Sequence, residues 1–196
     1  MVDLACGTQD IAQLRAELCG SLAGRVVEIG FGRGLNTPYY PTSVVSVDAV
    51  EPSDLGWRLS SERRTGAAVP INRIGLDGQR LDADDSTYHC ALSTFTLCTI
   101  PDVAAALREV RRVLRPGGSL HLLEHGLAAT PRVVRWQHRL EPLQKRVAGG
   151  CHLTRDMRAL VTDAGLEICD LRTEYLPGPA PSRPWTYLYL GRAIAV

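Results

Sequence analysis

The segment that constrains this chain most is Glu28-Ile29-Gly30-Phe31-Gly32-Arg33-Gly34, three glycines on alternate positions directly after the apolar run Val26 to Ile29. Glycines so placed after a short buried strand permit a tight strand-to-helix bend and let the backbone approach a ligand closely. A dinucleotide-binding turn requires Gly or Ala at the sixth place of G-x-G-x-x-G, where this chain has Leu35, and no Gly-Lys-Ser/Thr follows to make a phosphate loop. The turn therefore points away from nicotinamide dinucleotides and nucleoside triphosphates. Glu28, two residues before the first glycine, is ill-suited to a pyrophosphate and suits a ligand with a cationic amino-acid end.

Periodicity around the turn gives the fold class. Ile11, Leu14, Leu18 and Leu22 recur at helical spacing before it, and Val44 to Val50 reads as a second strand ending at Glu51-Pro52. A helix is expected from Pro52 to about Arg64, with strands at 70–74 and 89–96. Val103, Leu107, Val110 and Leu114 mark another helix, stopped by Pro116-Gly117-Gly118, and 119–123 is a buried strand halting at Glu124-His125. Amphipathic stretches follow at 131–147 and 154–164, then strands at 166–175 and 185–195 separated by a proline-rich connection. Strands alternating with helices predict an α/β, doubly wound, Rossmann-like, seven-stranded and mostly parallel sheet with one antiparallel edge strand. At 196 residues, with no repeat and no second hydrophobic core, the expectation is a single domain over 1–196.

Composition removes several functional classes. Twenty-two basic against 21 acidic residues leave a formal charge of +1, so no global field would hold nucleic acid or an anionic membrane. The six cysteines contain no C-x-x-C pair, which argues against a zinc ribbon or a redox motif, and no metal-ligand set is read from the sequence. They are expected as free thiols in a reducing cytoplasm. The N-terminus has no basic-then-apolar targeting pattern, and no run reaches the ~18 apolar residues of a membrane span.

Glu-x-Gly-x-Gly-x-Gly resembles the first motif of class I S-adenosylmethionine-dependent methyltransferases. The resemblance implies S-adenosylmethionine as cofactor, held by Glu28, Gly30, Gly32, Gly34 and Thr94, with Glu51 at the end of the second strand accepting the ribose hydroxyls. Asp48 is a rival for that role. Gly75-Leu76-Asp77-Gly78 is similar to the segment that frames adenine, which assigns Asp77 and Gly78 to the base. More closely, Ser93 to Ile100, Glu124-His125, Trp136-Gln137 and Gly150-Cys151-His152-Leu153-Thr154-Arg155 together resemble the methyltransferase-like group that contains alkyl-thiol S-methyltransferases and their bacterial relatives.

That closer resemblance implies a small acceptor, either sulfide or a small thiol. The substrate side is read as Phe95, Cys98 and Trp136, and His125 and His152 are the candidate catalytic bases or hydrogen-bond donors. Residues 131–147, with Val133, Trp136, Leu140, Leu143 and Val147 in one stripe and Arg132, Arg135, Arg139, Lys145 and Arg146 beside it, are a lid, a weak membrane-surface contact or a packing helix. Two alternatives stay open: O-, N- or C-methylation of an aromatic, quinone or lipid headgroup, and a non-catalytic cofactor- or partner-binding protein.

Overall fold

The computed structural model describes residues 8–196, so Cys6 lies outside the described residues. Its strands are β1 (Gly24–Ile29), β2 (Val44–Val50), β3 (Ile71–Gly75), β4 (Tyr88–Thr94), β5 (Leu114–His125), β6 (Leu166–Tyr175) and β7 (Tyr187–Ala195). The helices are α1 (Gln9–Cys19), α2 (Asp54–Leu59), α3 (Ser61–Thr65), α4 (Val103–Val113), α5 (Pro131–Val147), α6 (Met157–Asp163) and α7 (Arg183–Thr186).

The strands form one sheet in the order β3-β2-β1-β4-β5-β7-β6. The first five pair in parallel, whereas β7 runs antiparallel to both β5 and β6. The antiparallel strand thus slots between β5 and β6 and leaves β6 at the edge. Because β1 to β5 run the same way, their carboxyl ends share one rim, where ligands bind in open sheets of this kind.

Alternation along the central strands fills both faces. Val27, Ile29 and Val50 join α4 residues Ala106, Leu107, Val110 and Val113 on one side, together with Met157 and Val161 of α6. Val26, Val47 and Leu92 meet Ile11 and Leu18 of α1 on the other. Successive side chains of a strand point to opposite faces, so a run such as Val26-Val27 supplies both layers. Each fully buried Leu or Val contributes about 1.5–3 kcal/mol relative to exposure.

Some boundaries differ from the sequence reading. The helix expected over 52–64 is two short helices, α2 and α3, with Ser60 between them, and α2 is capped by Ser53 Oγ accepting from Gly56 N at 3.0 Å. Pro116-Gly117-Gly118 ends no free-standing turn. The chain enters β5 at once, and the register jumps from Tyr88↔Leu114 to Cys90↔Ser119, so the extra residues form a bulge. The strand expected to reach Thr96 stops at Thr94, where Phe95 takes φ 55°. No helix among the described residues is long and apolar enough to cross a membrane.

The turn after β1 depends on one close approach. Gly30 has φ 75°, and a Cβ there would overlap the Thr96 side chain. Gly117 has the same φ of 75° with nothing within 4 Å of its would-be Cβ. Gly117→Ala should therefore cost only the left-handed backbone term, about 1–2 kcal/mol. Gly30→Ala should cost at least about 2 kcal/mol more, because the Thr96 contact adds to it. Chemical denaturation of the two variants side by side measures the difference, and equal losses would show that Thr96 yields freely.

Candidate active site

Glu124, fully buried near the end of β5, organises the sheet's carboxyl rim. One carboxylate oxygen accepts from Ser93 Oγ at 2.7 Å, Thr96 N at 2.9 Å and Leu97 N at 3.0 Å; the other accepts from Cys98 N at 3.1 Å. The positive φ at Phe95 turns the chain so that the three following N–H groups converge on this carboxylate. Such a backbone conformation costs of order 1–3 kcal/mol and persists only where its surroundings enforce it. Burial raises the Glu124 pKa, while its four donors oppose that rise.

The loop's carbonyl groups are held separately. Arg155 donates to the Leu97 carbonyl, and its other terminal nitrogen reaches the Ile100 oxygen at 2.6 Å. Thr154 N donates to Glu141 Oε2 at 2.9 Å and His152 Nδ1 lies 3.1 Å from Glu141 Oε1, which ties the 150–155 segment to α5. Gln137 of α5, wholly buried, accepts from Ala128 N at 2.9 Å and donates to Gly126 O at 3.0 Å and Pro184 O at 3.2 Å. Segments distant in sequence therefore close around residues 95–101.

On the cofactor side, Gly30, Gly32 and Gly34 all take positive φ. A Cβ at Gly32 would meet only the Gly30 oxygen at 3.9 Å, so space lies open over the turn. Glu51, just past β2, accepts from Gly32 N at 2.5 Å and Ser53 N at 2.7 Å, and Arg73 grips its backbone oxygen. Asp48 is taken up elsewhere, by Tyr88 Oη at 2.9 Å and Arg25 at 3.2 Å. Asp77 accepts from Gln79, and Gly78 lies so close to the rim that a Cβ would come within 2.8 Å of Ile29 and 3.1 Å of Ile100.

Glu28 lies beneath the turn, not on its surface. It accepts from Asn36 at 2.9 Å and from the Tyr40 hydroxyl. Arg15 of α1 donates to Asn36 at 2.6 Å and to Thr94 Oγ1 at 2.8 Å, and Asn36 reaches Thr94 at 3.0 Å. Thr94 is thus drawn into the same buried network. Burial pushes the Glu28 carboxyl up to about 7 against the pull of Tyr40, Asn36 and Arg15. Sequence reasoning missed Arg15, Asn36 and Tyr40, although Arg15 stands four residues after Ile11 on the buried stripe of α1 and so carried a readable signal.

On the acceptor side, the rings of Phe95 and His125 are 4.9 Å apart, and Arg15 lies 5.5 Å from the Phe95 centroid. The sulfur atoms of Cys98 and Cys151 are 3.7 Å apart, with His125 Nδ1 3.9 Å from Cys151 Sγ. The shared hydrogen bond and burial raise the Cys98 thiol, and the same bond with His125 lowers that of Cys151. His152 is turned to Glu141, and burial lowers its pKa. Trp136 departs from the expected arrangement. It is 48% exposed on a groove of roughly 510 Å³ with Leu140, Pro181 and Trp185, whose lining includes none of Phe95, Cys98 or His125. The expected apolar stripe is only partly buried: Val133 and Gln137 face inward, while Leu143 and Val147 are exposed, because Gln137's three hydrogen bonds orient the helix.

The sequence and the fold are similar to those of known proteins. A family model described as a methyltransferase domain matches residues 27–122. The mouse (Mus musculus) thiol S-methyltransferase TMT1B is 31% identical over 177 residues, covering 86% of this chain and 70% of that protein. A demethylmenaquinone methyltransferase of Corynebacterium kroppenstedtii is 33% identical over 107 residues, 55% of this chain and 44% of its own length. The solved geranyl diphosphate methyltransferase, in complex with S-adenosylmethionine, superposes with TM-score 0.71 at 15% identity over 94% of this chain and 84% of that one. The chain belongs to the S-adenosylmethionine-dependent methyltransferases, and the open space over Gly32 beside Glu51 fits that cofactor.

Two measurements probe the buried carboxylates. An acid whose pKa is higher folded than unfolded stabilises the fold fully below the unfolded value, and that contribution disappears as pH rises through the folded one. For Glu28 the window runs from about 4.5 to about 7. The stability of the wild type relative to Glu28→Gln should therefore fall by about 3 kcal/mol across that window and stay level above it, as read by urea denaturation. A pH-independent difference would mean that Glu28 is ionised throughout. Glu124→Gln should lower stability by about 2–4 kcal/mol and cut methyl transfer at least tenfold, since an amide NH₂ then faces backbone donors. Melting curves and turnover on one preparation check both effects.

Proposed function

We propose that the protein transfers the methyl group of S-adenosylmethionine to the sulfur of sulfide or a small thiol. Similarity to a thiol S-methyltransferase over most of the chain carries this reading, and the thiol- and imidazole-bearing rim beside Phe95 supports it. In this reading residues 1–196 act as one catalytic domain. The cofactor supplies an electrophilic methyl group on a sulfonium.

The chain's own residues bind and orient. Glu51 would accept the ribose hydroxyls with lone pairs left beside its bonds to Gly32 and Ser53, and Asp77 with Gly78 would hold the adenine. Backbone at Gly30, Gly32 and Gly34 approaches the amino-acid end, and Glu28 supports that turn through Asn36 and Thr94. Phe95 and Cys98 form an apolar wall that keeps water from the acceptor. His125 takes the thiol proton, or hydrogen-bonds the sulfur when the thiol arrives ionised; His152, oriented by Glu141, is the second group able to do so. Trp136 lies in a separate apolar groove with Trp185, which is large enough to take the tail of a lipophilic acceptor.

That exposed groove also favours a second reading, a quinone or another lipophilic acceptor. A methyl-transfer panel of sulfide, alkyl thiols, phenols, a demethylated quinone and amines distinguishes the readings. Thiols should lead by at least tenfold, and quinone or phenol turnover without any thiol product would replace the first reading by the second. Glu51→Ala should weaken S-adenosylmethionine at least tenfold in calorimetry, through the loss of hydrogen bonds worth about 1.5–3 kcal/mol each. Unchanged affinity in a folded variant would remove Glu51 from the ribose.

A further inference from the structure

We infer that Cys98, His125 and Cys151 form a site for a soft divalent cation of the zinc type, with its fourth position open to the acceptor sulfur. The three residues come from three places: Cys98 from the loop after β4, His125 from the last position of β5, and Cys151 from the segment after α5. Their ligating atoms all lie within 4.8 Å of one another. A tetrahedral centre with Zn–S near 2.3 Å and Zn–N near 2.0–2.1 Å sets its ligand atoms roughly 3.5–3.8 Å apart. The sulfur pair is at 3.7 Å and the Cys151–His125 pair at 3.9 Å, so two of the three edges already have nearly that length. The third edge, Cys98 to His125, is no longer than 4.8 Å.

The scaffold under these ligands is rigid. Cys98 donates its N–H to Glu124, and its carbonyl accepts from His152 N at 2.8 Å. Cys151 N is bonded to Ala148 O at 3.1 Å. His125 is still paired in the sheet, with Leu188 of β7 as its partner. Two thiolates cancel the ion's two charges, so it would add no net charge beside Glu124 and Arg155. Three protein ligands leave one position free, the mark of a catalytic rather than a structural zinc. The linear spacing carried no sign of the site because three separate segments supply it, which is why no metal was expected from the sequence.

The consequence for chemistry rests on the thiol reading of the proposed function. In the metal-loaded site His125 and Cys98 would serve as ligands and His125 would no longer act as the base; a thiol entering the fourth position would lose its proton to solvent on entry and bind as thiolate. Its sulfur then forms a bond to the cofactor's methyl carbon while the sulfonium S–C bond breaks, and that electron pair stays on the cofactor's sulfur. The thioether product carries no charge and is a weaker ligand, so it leaves.

The test uses the full chain, stripped with a chelator and titrated with Co²⁺ as a spectroscopic probe, then with Zn²⁺ in competition. One equivalent of Co²⁺ should produce a thiolate-to-cobalt charge-transfer band with intense tetrahedral d–d bands, displaced by Zn²⁺. Cys98→Ser, Cys151→Ser and His125→Ala should each weaken binding at least about tenfold. Cys6→Ser and Cys169→Ser should leave it unchanged. No charge-transfer band, or a band that persists in the Cys98→Ser/Cys151→Ser double variant, overturns the site. His125→Ala keeps the test decisive if a buried cysteine variant does not fold. Thiol methylation should fall at least tenfold on stripping and return with Zn²⁺; equal turnover with and without metal overturns the acceptor role of the fourth position. Metal binding without thiol turnover in the zinc-loaded protein would instead refute the thiol reading and leave the site standing.

Discussion

A single buried carboxylate sets the geometry on which the candidate site depends. Glu124 gathers three successive backbone N–H groups and the Ser93 hydroxyl, and so forces β4 to end in a tight turn instead of continuing along the sheet. The donors oppose the cost of burying its charge, and the loop is in turn held by an acceptor that cannot move, since β5 is hydrogen-bonded on both sides. Arg155 completes the arrangement by taking carbonyl groups of the same loop. The segment that carries Phe95 and Cys98 is therefore clamped by its own polar backbone, not by apolar packing alone.

Glu28 and Glu51 solve related problems differently. Glu51 stands at the rim, where Gly32 N of the glycine turn and Ser53 N of its own segment donate to its two oxygens. Glu28 lies below, enclosed by Asn36 and Tyr40, with Arg15 acting through Asn36. Its hydrogen bonds lead to Asn36 and, through Asn36, to Thr94. Two acids singled out for one candidate site thus differ in environment, because one stands at the rim and the other in a low-dielectric interior.

The helix over 131–147 shows how one polar residue can outweigh an apolar pattern. Its sequence stripe suggests a face through Trp136, Leu143 and Val147, yet Gln137 satisfies three backbone groups of neighbouring segments and turns that face partly outward. Leaving those groups unbonded would cost about 1–3 kcal/mol each, more than the burial of one further aliphatic side chain returns. The outcome is an exposed tryptophan groove flanked by arginines.

Much was legible in the linear chain because it is local. Strand and helix periodicity reports which face of each element is buried, and Glu-x-Gly-x-Gly-x-Gly reports a turn whose φ values few other residues tolerate; the seven strands and the parallel core followed from these. The helix break at Ser60, the bulge at Pro116 to Gly118 and the insertion of β7 between β5 and β6 were not legible, since pairing across strands decides them. The same holds for the Arg15–Asn36–Glu28 network, for Glu124's hold on the loop and for the meeting of Cys98, His125 and Cys151. Each joins residues tens of positions apart, and only the packed chain brings such groups within hydrogen-bonding or ligating distance, because those interactions act over a few ångströms and leave no periodic trace in the sequence.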